Sequence, residues 1–235
     1  VRFNAGAAVH NPFGLGDKLS VDAMTSGKMH YGRVGYEATI NGMGSRLGAS
    51  YSDLIYELGK EYKALDAEGK AQQASIWLNQ PVLLSNRSEV LLNAQYDYKQ
   101  LEDDIGVANV YRHRDVHVGR LSVQAAQYDN FAGGGLNQLN ISNDFGQVKY
   151  QNAAAKKADQ ATAQTQGSFY RAHLNLSRLQ NLGLSATQLY TGIQAQYSPD
   201  NLDSSEQFSM GGAYTVAGYQ NSVLSGSSGY YAVAE

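Results

Sequence analysis

Alternate residues from Val90 to Lys99 divide by polarity, and this division limits the chain more than any other feature. Val90, Leu92, Ala94, Tyr96 and Tyr98 fall on one side, and Leu91, Asn93, Gln95, Asp97 and Lys99 on the other. Only an extended chain separates its residues with a period of two. The pattern returns at Tyr170, Ala172, Leu174 and Leu176 against Arg171, His173, Asn175 and Ser177. It returns again at Val34, Tyr36, Ala38 and Ile40 against Arg33, Gly35, Glu37 and Thr39. A fourth case sets Leu189, Thr191, Ile193, Ala195 and Tyr197 against Gln188, Tyr190, Gly192, Gln194 and Gln196.

A soluble antiparallel sandwich also alternates in this way. Composition separates the two readings. Charged residues are 17% of the chain, below the roughly 25% usual in soluble proteins, yet mean hydropathy is −0.40 because Gln, Asn, Ser and Gly replace the charge. The polar face carries glutamines and charges along whole strands, as a water-filled barrel lumen requires. A chain rich in tyrosine, at 17, and glycine, at 25, yet polar on average is what a membrane barrel with a polar lumen looks like. No apolar run approaches the roughly 18 residues of a membrane helix. A net charge of −3 without a basic block gives no support to nucleic-acid binding. The absence of cysteine fits an oxidising compartment. With no leader segment at its start, the chain reads as mature or as a fragment.

Turn signals mark about eleven strand candidates. They lie near 2–10, 17–26, 29–40, 46–59, 71–82, 88–101, 114–127, 135–143, 168–180, 183–197 and, incomplete, 229–235. Their length, on the order of 9–13 residues, suits tilted strands crossing a bilayer. Short turns at 11–16, 41–44, 85–88 and 181–183 alternate mostly with longer connections at 61–70, 102–113, 144–167 and 212–228, the asymmetry of outer-membrane barrels. Residues 153–166 favour helix by composition, but without an apolar stripe a mobile loop is expected there.

No catalytic set emerges. His113-Arg114-Asp115 spells a kinase-like triplet with none of its companions. His113 and His117 share a strand face but lack a third metal ligand, so lumen lining is the expected role. Gly14-Leu15-Gly16 lacks the downstream glycine of a dinucleotide site and reads as a tight turn. The chain is therefore expected to be no enzyme and to need neither cofactor nor metal.

The C-terminal region is more specific. Ser205-Glu206-Gln207-Phe208-Ser209-Met210-Gly211-Gly212 is followed by Val216-Ala217-Gly218-Tyr219 and then by Gly226-Ser227-Ser228-Gly229-Tyr230. This resembles the outer-membrane transporters of two-partner secretion, the haemolysin and filamentous-haemagglutinin transporter (TpsB) family within the BamA superfamily. There, a strand ending in S-E-Q-F-x-x-G-G leads to a sixth outer loop with a V-R-G-Y signature, which folds into the lumen and returns through G-D-x-G-Y. Asn11-Pro12-Phe13-Gly14-Leu15-Gly16-Asp17 looks like the superfamily's first periplasmic turn. Two positions depart from the pattern: Ala217 stands for the arginine and Ser227 for the aspartate. An alanine cannot make the bidentate contact of a guanidinium.

The resemblance implies an all-β fold, a transmembrane antiparallel β-barrel present over residues 1–235 as roughly strands two to twelve of sixteen. The first strand, the last four and the periplasmic POTRA domains would lie outside the chain. It implies a monomeric barrel in outer-membrane lipid that secretes a large β-helical exoprotein of adhesin or haemolysin type. A BamA-like insertase and a passive porin are the alternatives. Expected site residues are Ser205, Glu206, Gln207 and Phe208 on the strand before the loop, and Gly211, Gly212, Val216, Ala217, Gly218 and Tyr219 in a loop, 212–228, turned into the lumen. The lumen-facing candidates are Arg171, His173, Asn175, Gln188 and Gln194.

Overall fold

The computed structural model describes residues 3–57, 67–105, 110–183, 187–211 and 224–235. Eleven strands form one sheet: β1 (Phe3–His10), β2 (Lys18–Ser26), β3 (Met29–Thr39), β4 (Arg46–Glu57), β5 (Ala67–Leu84), β6 (Ser88–Ile105), β7 (Val110–Asp129), β8 (Gly135–Tyr150), β9 (Gly167–Asn181), β10 (Gln188–Tyr197) and β13 (Gly229–Ala234). They lie side by side in chain order, with β13 following β10. A separate two-stranded ribbon pairs β11 (Phe208–Met210) with β12 (Leu224–Gly226). An α-helix, α1 (Ala153–Ala161), lies between β8 and β9. The chain divides into two compact units, residues 1–79, 95–119 and 146–168 in the first and 80–94, 120–145 and 169–235 in the second.

The alternation in sequence becomes two faces. Val34 is 46% exposed and Leu92 and Leu176 are each 44% exposed, and Tyr51, Ile76, Leu121 and Ile193 are exposed on the same side of their strands. Asp97, Arg171 and Gln196, at the opposite parity, are buried. Large apolar side chains on open display are the mark of a surface meant for lipid.

In the first unit, the turn joining β1 to β2 is built around Asp17. Asn11 N–H donates to the Asp17 carbonyl at 2.6 Å, and Gly16 N–H donates to Asn11 Oδ1 at 2.9 Å. Asp17 Oδ1 accepts from the N–H groups of Leu15 and Phe13, while Tyr36 on β3 donates its hydroxyl to Oδ2 at 2.9 Å. Gly14 and Gly16 take φ of 78° and 62°, values a side chain would strain.

Three expectations change here. Strands β5 to β8 run past the limits read from sequence, so 67–70, 102–105, 110–113 and 144–150 are strand rather than loop. The buried parity there mixes charged and apolar side chains, Arg114 and Asp144 with Val116 and Val148, so polarity no longer alternates, and Tyr56 Oη donates across to Asp103 Oδ1 at 3.2 Å. The 153–166 segment contains α1 instead of a mobile loop. Its exit is held by Asp159, which accepts from Thr165 N–H and Oγ1, from Gln166 N–H and from Tyr150 Oη. His117 is not lumen lining: its Nδ1 lies 2.7 Å from Tyr96 Oη and its ring 4.8 Å from that of Tyr98, on the aromatic face of β6. Val116 and Val118 occupy the buried parity instead, so β7 inverts the usual polarity in this stretch.

Candidate functional site

In the second unit, β7, β8 and β9 converge on one carboxylate. Asp144 on β8 is 0% exposed. Arg120 on β7 grips it bidentately, Nε to Oδ1 at 2.7 Å and Nη2 to Oδ2 at 2.9 Å. Arg171 on β9, 5% exposed, approaches from the other side with Nε 2.9 Å from Oδ2 and Nη2 in contact with the same oxygen. His173 Nε2 stands 3.7 Å from Oδ2.

Arg171 also reaches the segment after β10. Its Nη1 donates to the Glu206 carbonyl at 2.6 Å and lies 2.9 Å from Glu206 Oε2, a side chain that is 1% exposed. Two guanidinium groups thus face two carboxylates. A charge-balanced set with fork geometry is what allows such groups to be buried at all.

Smaller bonds complete the attachment. Gln196 Nε2 donates to the carbonyls of Glu206 and Ser227, at 3.1 and 2.9 Å. Ser198 Oγ donates to the Tyr170 carbonyl, and Tyr170 N–H donates to Asp200 Oδ2. Ser227 Oγ accepts from Leu202 N–H at 2.9 Å. A hydroxyl is sufficient for that single bond, so the serine in the aspartate's place still ties the returning chain down.

The sequence-expected residues are distributed unevenly. Arg171 and His173 join the buried cluster. Asn175 and Gln194 are direct cross-strand partners on the same face of β9 and β10. Gln188 stands apart, donating to Asn181 Oδ1 at 2.9 Å by the turn. Ser205, Glu206 and Gln207 are not strand. Ser204, Ser205 and Glu206 form a turn closed by Glu206 N–H to the Asp203 carbonyl at 2.8 Å, with Asp203 Oδ1 accepting from Ser205 N–H and Oγ. An aspartate bonding the backbone two residues on competes with a ladder, so extension resumes only at Phe208 in β11. Gly211 takes φ of 118° at the foot of the ribbon. Gly212, Val216, Ala217, Gly218 and Tyr219 lie outside the described residues.

Asp144, Arg120 and Gln196 were not singled out from sequence. The connection expected at 144–167 takes in Asp144; continuing the alternation of β8 to Tyr150 puts it on the face that Arg120 and Arg171 share.

An antiparallel sheet with apolar side chains exposed on one face and charge-paired polar groups on the other is the wall of an outer-membrane β-barrel. Solved structures agree with the fold. CdiB from Escherichia coli superposes with a TM-score of 0.79 at 18% identity, covering 99% of this chain and 44% of that one. CdiB from Acinetobacter baumannii gives 0.68 at 23% identity, covering 98% and 42%. BamA from Haemophilus ducreyi, lacking POTRA domains 1–3, gives 0.65 at 17%, covering 95% and 44%. The family model of the haemolysin secretion/activation proteins ShlB/FhaC/HecB matches residues 1–233, and the chain belongs to that family. Among curated proteins, it is similar to the heme/hemopexin transporter protein HuxB of Haemophilus influenzae, 25% identical in strain 86-028NP and 26% in strain Rd, over 231 residues. Those matches cover 97% of this chain and 40% of the relatives' length. The chain is thus part of an outer-membrane β-barrel of the two-partner secretion type.

Proposed function

We propose that the protein passes an unfolded partner exoprotein through its barrel to the cell surface, the cargo being a large β-helical adhesin or haemolysin. The observation that carries this reading is the buried Arg171–Asp144–Glu206 cluster. It fastens the root of the chain between β10 and β13 to the inner wall, leaving the rest of that wall polar and wet. A passive porin has no need of such an attachment. The heme/hemopexin transporter HuxB, by its name, serves a related transfer, which makes a haem-acquisition protein a second kind of cargo to look for.

Deleting the gene in the source bacterium tests the proposal. The expected result is loss of one large protein from the medium and cell surface, restored by the wild-type gene. A general shortage of outer-membrane barrels would favour an insertase instead, and slower uptake of small solutes with an unchanged exoprotein profile would favour a porin.

A further inference from the structure

Four side-chain amides lie on four successive strands of the sheet: Gln124 on β7, Asn140 on β8, Asn175 on β9 and Gln194 on β10. All four line one cavity of about 680 Å³ in the second unit. Gln124, Asn175 and Gln194 are exposed to it and Asn140 is half-buried. None of the four has a hydrogen-bond partner among the described residues. Two carboxylates, Glu89 and Glu235, line the flanks of the cavity, and the arginines of the same inner face are committed elsewhere. Arg120 and Arg171 hold Asp144, and Arg178 holds Asp129 with Nη1 2.6 Å from Oδ2. The lining that β7 to β10 contribute is uncharged, and there these amides stand unused at the spacing of neighbouring strands, about 4.8 Å.

We propose that Gln124, Asn140, Asn175 and Gln194 form a binding site for the backbone of an extended polypeptide, independent of its sequence. The inference rests on the transporter reading and names the surface along which its cargo slides. Each residue of an unfolded chain presents one N–H and one C=O. A side-chain amide offers both donors and an acceptor, so either group finds a partner at any register. Because each such bond replaces one with water, its net worth is small, and a chain held by several of them still moves on. Charged groups would sort cargo by its side chains; amides do not.

The test uses the intact protein in a planar bilayer and two uncharged probes of equal size. One is a flexible peptide of about 30 Gly, Ser and Thr residues, and the other is polyethylene glycol, which has no N–H donors. Peptide blockades of the wild-type pore should outlast polymer blockades by about tenfold, the effect of one or two net hydrogen bonds. The combined variant Gln124→Ala, Asn140→Ala, Asn175→Ala and Gln194→Ala should bring the peptide down to the polymer's dwell time. Gln124→Asn with Gln194→Asn, which keeps the amides, should retain most of the difference. Should the fourfold variant not fold, Asn175→Ala and Gln194→Ala singly should each shorten only the peptide's blockades. Equal dwell times for both probes on the wild type, or peptide dwell times unchanged in the alanine variants, overturn the site. A peptide-specific dwell combined with an unchanged exoprotein profile on gene deletion would instead remove the transporter reading and leave the site standing.

Discussion

Arg171 on β9 and Asp144 on β8 meet across adjacent strands, Nε 2.9 Å from Oδ2, and the same arginine extends Nη1 to the carbonyl of Glu206 at 2.6 Å. One guanidinium therefore joins the sheet to the turn that precedes the β11–β12 ribbon. The arrangement gives the chain an attachment at the foot of its long connection.

Arg171→Ala should be the most damaging single change in this cluster. It takes one guanidinium away from two buried carboxylates, Asp144 and Glu206, and breaking a buried ion pair typically costs about 3–5 kcal/mol. Arg120→Ala should cost less, because Arg120 is the more exposed of the two and Arg171 remains on Asp144. The temperature at which the folded, fast-migrating band disappears on SDS gels measures both, and equal losses would contradict the ranking.

Asp17 sets a pH dependence for the first turn. Burial opposes its charge, but the Tyr36 hydroxyl and the N–H groups of Leu15 and Phe13 outweigh it and hold the carboxyl below the usual range. A group with a depressed folded pKa stabilises at pH values above its unfolded pKa, and that stabilisation is lost as pH falls through the folded value. Amide exchange in 11–17 should therefore stay slow from neutral pH down to about pH 4 and accelerate, beyond the intrinsic pH trend, below it. Asp17→Asn should remove this extra acceleration; an unaltered profile in that variant would refute the assignment.

Gly48 and Trp77 are cross-strand partners, and a Cβ at Gly48 would stand 2.3 Å from Trp77 Cε2. Gly48→Ala should push the indole away and break its bond to Glu37 Oε2, now 2.7 Å, at a cost of about 1–3 kcal/mol. Trp77 is the chain's one tryptophan, so its fluorescence reports the shift. Gly32→Ala, whose Cβ would meet nothing within 4 Å, is the control and should leave the spectrum unchanged.

Asp159→Ala should open α1. The carboxylate accepts from Thr165 and Gln166 N–H groups and from two hydroxyls, and those bonds keep it below the ordinary carboxylate range despite burial. Limited proteolysis should then cut within 151–167 several times faster. Unchanged cutting would mean that the helix is held by something else.

The period of two made the eleven-strand sheet legible, since Leu92 and Leu176 stand on the lipid side as their alternation implies. The turn around Asp17 was legible too, because glycines at positive φ and a capping aspartate leave a local signature. The full reach of β5 to β8 was not, since Arg114 shares its buried parity with Val116 and Val118 and pairs with Asp103, so polarity does not alternate there. His117 was misassigned because Val116 and Val118 turn the apolar parity of β7 inward. The Arg171 cluster depends on residues 27 and 35 positions apart, and spacing alone does not pair them.

The chain contains no cysteine, so single cysteines introduced into it can carry spin labels at chosen points of the wall. Labels at Leu92, Leu176 and Ile193 in the reconstituted intact protein should collide mainly with oxygen dissolved in lipid. Labels at Asn93, Asn175 and Gln194 should collide mainly with a water-soluble nickel chelate. That alternation from one residue to the next is the result a secretion barrel predicts. Equal chelate access on both faces would contradict it, and with it the reading of this sheet as a membrane wall around a wet pore.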